Sequence, residues 1–304
     1  MVRIPKFYIK FEQQEDNLKV LISEFSISGF YSAGDFYISA YNSIENKNGS
    51  IRSFSRNREG LEFNVIATNR TYEEFSDSIS GIQTDYSLGN WGLLNLMQWS
   101  DIFWLQLIES LSISSFIVDR SVYVRNNETR EYSNVYLSRI EKINTFSNPG
   151  RTDRFGCTSG RLSDSIGLSE LINEIPQGGN FSAIMNSYRF RGIEDLFGDV
   201  NYLLGRSGFS TNIGIISLDS SGLNRGTGFI KKFLYPGMIV PDFNVTGGSS
   251  STGFHGYCDY TAGNLIRVGT DWSDPLFSGM LDQKTVDSDY KSRTTTVRLV
   301  FNPK

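Results

Sequence analysis

The most informative segment of the sequence is Asn95-Leu-Met-Gln-Trp-Ser-Asp-Ile-Phe-Trp-Leu-Gln-Leu-Ile-Glu-Ser-Leu111. Asn95 can cap a helix, and Gln98, three residues later, can complete a capping box with it, so a helix is predicted to begin here. Apolar residues, with Trp99 and Trp104 among them, then occupy almost every side of that helix. Its carboxylates would be costly in hydrocarbon, which argues against a membrane span. We therefore expect a core helix that packs against a sheet on more than one side.

Weaker local signals flank this segment. Thr71 and Glu74 match a capping box ahead of an apolar helical face, which predicts a second helix over 71–80. Residues 1–25 read as an N-terminal hairpin, and the last residues as a closing strand. The runs that predict strands are 7–11, 18–25, 115–125, 132–143 and 294–301.

Residues 205–256 are rich in Ser, Gly, Asn and Thr, a composition that is usual in linkers. Aromatic side chains are spread through the segment, and such side chains can hold long loops on a scaffold. Those aromatic residues include Phe229, Phe233, Tyr235 and Phe243. We therefore expect long ordered loops within a single elaborated domain over 1–304.

Composition excludes several function classes. The chain has 304 residues, 39% hydrophobic and 20% charged, which is typical of a globular protein. Its net charge of −4 gives no electrostatic footprint for nucleic acid. One histidine and two cysteines cannot build a Cys/His zinc site, and no nucleotide-binding motif is present, so no cofactor or metal is expected. The N-terminus lacks an apolar run, which predicts synthesis without a secretory leader.

Catalysis without a metal has two possible sources in this sequence. His255 and Cys258 could be imagined as a nucleophile pair, but no third group orients them and packing is the simpler reading. Paired carboxylates could hydrolyse polysaccharide, although the sequence does not give their separation. The candidate carboxylates are Glu194, Asp195, Asp199, Asp271, Asp274, Asp282, Asp287 and Asp289.

Three stretches support a family resemblance. They are Val2-Arg-Ile-Pro-Lys-Phe-Tyr-Ile-Lys10, then Tyr188-Arg-Phe-Arg-Gly-Ile-Glu-Asp-Leu-Phe-Gly198, and finally Arg267-Val-Gly-Thr-Asp-Trp272 through Ser278-Gly279 to Val297-Arg-Leu-Val-Phe301. In this order, over nearly the whole chain, they resemble virion proteins of crAss-like and related tailed phages. Those proteins resemble C-type lectins, formylglycine-generating enzymes and the variable receptor binders of retroelements.

The resemblance implies an α+β fold with a C-type-lectin-like core, two helices, a small mixed or antiparallel sheet and long ordered loops. It implies that residues 188–198 turn into the central sheet and that the last strand closes that sheet beside the N-terminal one. The ligand surface of such receptor binders lies before the last strand, here Trp272 to Arg293, within the long loops of the 205–293 region. Aromatic residues with Ser, Asn and Gly around them are typical of recognition loops. The candidate ligand-binding residues are Tyr257, Tyr260, Trp272, Asp274, Phe277, Tyr290 and Arg293.

Two departures from the family limit what the resemblance implies. Cys157 and Cys258 are far apart, whereas the sulfatase-activating enzymes use a close cysteine pair, so oxidase activity is not implied. The chain opens directly on the family motif, so another virion protein is expected to supply a stalk. We thus expect a non-enzymatic head or tail fibre or decoration subunit, a dimer or trimer, that binds a host glycan or protein without inserting into membranes. A purely structural virion adaptor and a carboxylate-based polysaccharide-degrading enzyme are the alternatives.

Overall fold

The structure is a computed structural model, and it describes part of the chain. The described residues are 1–14, 17–45, 49–53, 65–80, 82, 88–110, 121–126, 132–136, 160–166, 181–194, 196, 200–205, 209–211, 214–216, 226–230, 233, 237–242, 257–261, 263, 265–269 and 280–304. Two helices, α1 (Tyr72–Ser80) and α2 (Leu96–Ser110), lie among them. The strands are β1 (Val2–Ile4), β2 (Phe7–Gln14), β3 (Asn17–Ser23), β4 (Tyr31–Ala33), β5 (Phe36–Ile38), β6 (Ser43–Glu45), β7 (Ile51–Ser53), β8 (Val65–Ile66), β9 (Gly89–Leu93), β10 (Ser121–Asn126), β11 (Tyr132–Tyr136), β12 (Gly160–Ile166), β13 (Phe181–Phe190), β14 (Ile193–Glu194), β15 (Asn201–Leu203), β16 (Phe209–Thr211), β17 (Gly214–Ile216), β18 (Gly226–Phe229), β19 (Tyr257–Tyr260), β20 (Leu265–Val268), β21 (Gln283–Val286), β22 (Thr295–Thr296) and β23 (Leu299–Pro303).

Both predicted helix starts are confirmed. Asn95 Oδ1 accepts from the backbone N–H of Gln98 at 3.0 Å, and Gln98 Oε1 accepts from the N–H of Asn95 at 3.1 Å. Thr71 and Glu74 make the same reciprocal pair at the start of α1, at 2.7 and 3.2 Å. Each pair satisfies two backbone donors that a helix otherwise leaves without partners.

Helix α2 is the centre of the core, as its sequence predicts. The ring nitrogen of Trp99 donates to the carbonyl of Met280 at 2.9 Å, and that of Trp104 donates to the carbonyl of Gly237 at 3.0 Å. Both indoles are essentially inaccessible to solvent. A buried indole N–H needs an acceptor, so these bonds fix the chain segments that carry the two carbonyls against two points of the helix, five residues apart.

The predicted N-terminal hairpin is confirmed as β2 and β3, which pair antiparallel from Tyr8–Ser23 to Gln14–Asn17. With β4 it forms a three-stranded sheet. The ring of Phe11 packs edge-on against Trp104, with centroids 4.9 Å apart. This sheet therefore covers one side of α2.

The closing strand is confirmed, but its expected neighbour is not. β23 belongs to a four-stranded sheet with the order β1–β5–β23–β9, so β5 separates it from the first strand. Phe36 and Ile38 of β5 are buried, and a strand with both ends in the core is suited to a central position. A tight turn at Gly34 and Asp35, both at positive φ, brings β5 there directly after β4.

The sequence predicted one strand over 294–301, whereas the structure divides that segment between β22 (Thr295–Thr296) and the start of β23 (Leu299–Pro303). Residues 295–300 are all buried, because both faces of this segment are covered. Arg298 is fully enclosed: its Nη1 donates to the carbonyl of Ser39 at 3.1 Å, and its Nη2 donates to Asn42 Oδ1 and Tyr202 Oη, each at 2.9 Å. Its guanidinium also lies 4.9 Å from the centroid of the Tyr202 ring. A buried cation is tolerated when hydrogen bonds replace its hydration.

Four further sheets are described, of which β7–β6–β8 has three strands and β16–β17 has two. A five-stranded sheet holds β10 to β14. Its antiparallel pair, β10 and β11, overlaps the strands predicted over 115–125 and 132–143. A six-stranded sheet follows with the order β18–β19–β21–β20–β15–β22. Across the described residues, two helices and several small, mainly antiparallel sheets establish a mixed α+β fold.

Candidate binding face

The six-stranded sheet packs one face on the main core, which holds Cys258, Tyr260 and Ile266. Its other face, the outer face, reaches solvent at β18, β19 and Lys284, whereas Leu203, Leu265 and Val286 of that face are buried in a second hydrophobic cluster. Burial alternates along β19, where Tyr257 is exposed, Cys258 buried, Asp259 half-buried and Tyr260 buried. Strand side chains point to opposite faces in turn, so Tyr257 and Asp259 share one face while Cys258 and Tyr260 share the other.

The inner face carries polar groups that are used in packing. Tyr260 Oη donates to the side-chain oxygen of Gln283, whose amide donates to the carbonyl of Ile239. The Cys258 thiol is not in a disulfide and is fully buried. Burial raises the pKa of this thiol well above its ordinary value, and the negative charge of Asp282 raises it further. A thiol in that state is a poor nucleophile. Tyr260 is a core residue in this structure, and the candidate face does not include it.

We define the outer face by six residues of adjacent strands. They are Thr227 and Phe229 of β18, Tyr257 and Asp259 of β19, Lys284 of β21 and Arg267 of β20. The register places Thr227 opposite Asp259, and Asp259 opposite Lys284. Lys284 is in turn opposite Arg267. A continuous polar row thus crosses four strands, with an aromatic pair at one end.

The aromatic pair consists of Tyr257 and Phe229. Their rings meet edge to face, with centroids 5.4 Å apart. Tyr257 is 42% exposed, one of the few large hydrophobic side chains of the described chain with that much surface in water. Its backbone N–H donates to Asp282 Oδ1 at 2.8 Å, which fixes the start of β19. An exposed ring on a fixed strand is a preorganised contact surface.

Next to that pair lies an ion pair between Lys284 Nζ and Asp259 Oδ2, at 3.1 Å. Thr261 Oγ1 also donates to Asp259 Oδ1 at 2.6 Å. Burial alone would raise the pKa of Asp259, but the hydrogen bonds from Thr261 and Lys284 and the lysine charge outweigh it and lower the pKa. This carboxylate is therefore held ionised and oriented.

Arg267 closes the row. Its Nη1 donates to Tyr290 Oη at 3.3 Å, and that oxygen also lies 3.2 Å from Thr295 Oγ1. Burial opposes ionisation of Tyr290, but the hydrogen bond with Thr295 and the charge of Arg267 prevail and lower the pKa of the phenol. Tyr290 thus fixes one nitrogen of the Arg267 guanidinium.

The structure brings together only some of the residues predicted from the sequence. Tyr257 is part of the outer face, and Tyr290 borders it. Arg293 is exposed in a turn ahead of β22. Trp272, Asp274 and Phe277 lie outside the described residues. The expectation that the ligand surface includes those three residues therefore stays a prediction.

The carboxylates proposed for catalysis are placed as follows. Asp282 is buried and accepts the N–H of Tyr257, while Asp287 and Asp289 are exposed in the turn after β21. Of the others, only Glu194 is in a described strand, β14. Asp195, Asp199, Asp271 and Asp274 lie outside the described residues, as does His255.

Sequence reasoning missed Asp259, Arg267 and Lys284. A usable signal was present in Leu265-Ile-Arg-Val268 and Gln283-Lys-Thr-Val286, where one cation interrupts a short apolar or β-branched run. Such a cation marks the solvent side of an otherwise buried strand.

Comparisons with known proteins do not identify a family for the chain. No family model matches the chain, and no curated protein matches it. In the described part of the chain, neither helix is long and apolar enough to cross a bilayer. No group of three or more His, Cys, Asp or Glu side chains among the same residues could hold a metal ion.

Proposed function

We propose that this chain is a non-enzymatic bacteriophage virion subunit, in a head or tail fibre or decoration, whose outer face contacts a glycan on the host surface. The observation that carries the proposal is the exposed ring of Tyr257, braced by Phe229 and followed by a row of oriented charges. A sugar ring has an apolar C–H side and a rim of hydroxyls. An aromatic platform beside charged donors and acceptors complements both.

The electrostatics of the face favour binding over hydrolysis. A glycosidase needs a carboxylic acid whose pKa is raised so that it can protonate the leaving oxygen. Asp259 has the opposite shift, because Thr261 and Lys284 stabilise its charged form. The acid that this chemistry requires is thus not supplied by the carboxylate at the centre of the outer face.

The finer fold assignment, a C-type-lectin-like core, is part of the same proposal. It is supported by the presence of β1 and β23 in one four-stranded sheet and by two helices that pack beside small sheets. Several copies in a dimer or trimer on a particle would raise the avidity of a weak single site.

The test is binding of the purified full chain to an array of bacterial surface glycans. We expect specific binding that Tyr257→Ala reduces about tenfold or more, the effect of removing a central aromatic anchor. Tyr31→Ala is the matched control, since Tyr31 is 43% exposed but belongs to a different sheet, β3–β2–β4. Equal loss in both variants, or no glycan binding by the wild type, would refute the proposal.

A second function, a structural adaptor in the virion, is favoured by a different surface. Phe25 is 75% exposed and Ile27 is 49% exposed, in the loop between β3 and β4. Three hydrogen bonds order the loop. The Ser23 hydroxyl donates to the carbonyl of Phe25 at 2.9 Å and accepts from the N–H of Phe25 at 3.0 Å. The N–H of Phe30 donates to the carbonyl of Ile27 at 3.0 Å. Apolar side chains held in water by a fixed loop are typical of contacts with a protein partner.

The adaptor function predicts a different outcome for variants of the Phe25 loop and of the outer face. Phe25→Ser should abolish incorporation into particles, Tyr257→Ala should leave incorporation intact, and the wild type should bind no glycan on the array. Incorporation is measured by the copy number of the chain in purified particles. Normal incorporation of Phe25→Ser would exclude this loop as the docking contact.

A further inference from the structure

The outer face carries more positive charge than it neutralises. Lys284 and Arg267 are directly opposite each other on β21 and β20, in an antiparallel register. Like charges at such a position repel each other. Asp259 is ion-paired with Lys284 at 3.1 Å, whereas no carboxylate in the described part of the chain is ion-paired with Arg267. The three side chains together leave one positive charge on the row.

Arg267 is half-buried, and its guanidinium makes few hydrogen bonds to the described residues. Its Nη1 has the phenol oxygen of Tyr290 at 3.3 Å. Its Nε is buried and lacks a hydrogen-bond partner within the described residues. A guanidinium presents five donors in a planar fork. A partly desolvated fork with little protein bonding is suited to a planar anion that arrives from outside.

We propose that Arg267 and Lys284 form an anion subsite of the outer face, and that its ligand is a sugar unit that carries a carboxylate. This inference rests on the proposed function, because the subsite belongs to the same face as Tyr257. The single net positive charge matches a monoanionic carboxylate. The fixed carboxylate of Asp259 would repel the second charge of a phosphate monoester.

Strand geometry sets the length of ligand that fits. Tyr257 and Arg267 are two strands apart across the sheet and offset by two residues along it. With strands about 4.8 Å apart and a rise of about 3.3 Å per residue, their Cα atoms are about 12 Å apart. A short oligosaccharide spans that distance, with a neutral ring on Tyr257 and the acidic unit at Arg267.

The experiment measures the affinity of the full chain for glucuronic acid, glucose and glucose 6-phosphate by saturation-transfer NMR titration. We expect glucuronic acid to bind about tenfold more tightly than glucose, the ratio that one charge-assisted bidentate contact supports. Arg267→Gln should bring the two sugars to equal affinity, and added salt should weaken only glucuronic acid binding.

Three further variants separate binding from folding. Lys284→Gln is at an exposed position and should weaken glucuronic acid several-fold, because it leaves Asp259 without its cation. Arg267→Lys keeps the charge but loses the fork, so it should retain little of the preference. Lys19→Gln is the control, because Lys19 is also an exposed lysine paired with a carboxylate, Glu12, on a different sheet. Its sugar preference should equal that of the wild type.

The outcomes distinguish this inference from the function on which it rests. Equal affinity of the wild type for glucuronic acid and glucose, with array binding still lost in Tyr257→Ala, would overturn the subsite and leave the glycan function standing. Stronger binding of glucose 6-phosphate than of glucuronic acid would overturn the carboxylate assignment. Failure of every glycan to bind would overturn both.

Discussion

Asp101 gives the folded protein a pH dependence that can be worked out from its surroundings. It lies on α2 in the core, where its Oδ2 accepts the backbone N–H of Gly34 at 2.9 Å. Burial raises the pKa of this carboxyl from 3.8 to about 7, although the bond from Gly34 lowers it in part. The folded state therefore holds this proton more tightly than the unfolded chain does.

The sign and size follow from linkage. Between about pH 4 and pH 7 the folded state binds more protons at Asp101, so the free energy of unfolding falls as pH rises through that window. Each pKa unit corresponds to about 1.4 kcal/mol, so the complete change from this group is about 4 kcal/mol. Asp101→Asn removes the titration and keeps an oxygen that can accept from Gly34.

The assay is urea unfolding of the wild type and Asp101→Asn at a series of pH values from 4 to 8. We expect the stability of the variant relative to the wild type to increase by about 4 kcal/mol across the series, whatever its constant offset. Asp287→Asn, at an exposed turn position, is the control and should track the wild type. Parallel pH profiles for the wild type and Asp101→Asn would refute the reasoning.

Three further changes test how the core is built, each by urea unfolding against the wild type. Asn95→Ala removes a helix cap and should cost about 1 kcal/mol, whereas no loss would mean that the cap is dispensable. Gly34→Ala should cost more than 1 kcal/mol, because φ is +74° there and a Cβ would lie 2.2 Å from the carbonyl oxygen of Pro5. Trp104→Ala should cost about 3–5 kcal/mol through the cavity and the unpaired carbonyl of Gly237, and a loss below 1 kcal/mol would contradict its place in the core.

Local structure could be predicted from the sequence because its causes are local. The caps at Thr71 and Asn95 involve partners three residues away, and the β2–β3 hairpin joins runs a few residues apart. The all-round apolarity of α2 likewise predicted its central place. Such features depend on short-range periodicity and capping chemistry that a single sequence displays.

Sheet order could not be predicted, because it is a long-range property. β5 enters between β1 and β23 through the turn at Gly34 and Asp35, and no local pattern marks that position. The burial of Arg298 depends on acceptors from Ser39, Asn42 and Tyr202, which are distant in sequence.

The candidate site was predicted in part. Tyr257 and Tyr260 were both chosen as ligand residues, yet they are three positions apart on one strand and so belong to opposite faces. Assigning β19 from the sequence would have separated them. Asp259 could not be linked to Lys284 in advance, because β19 and β21 pair in parallel across an intervening segment.

The most direct measurement is a cryo-EM map of the assembled particle at side-chain resolution. If the chain presents a host-binding surface, Tyr257, Asp259, Lys284 and Arg267 will face solvent at the distal side of the subunit. Another virion protein seated on these four residues, or a particle that does not contain the chain, would contradict the proposed function.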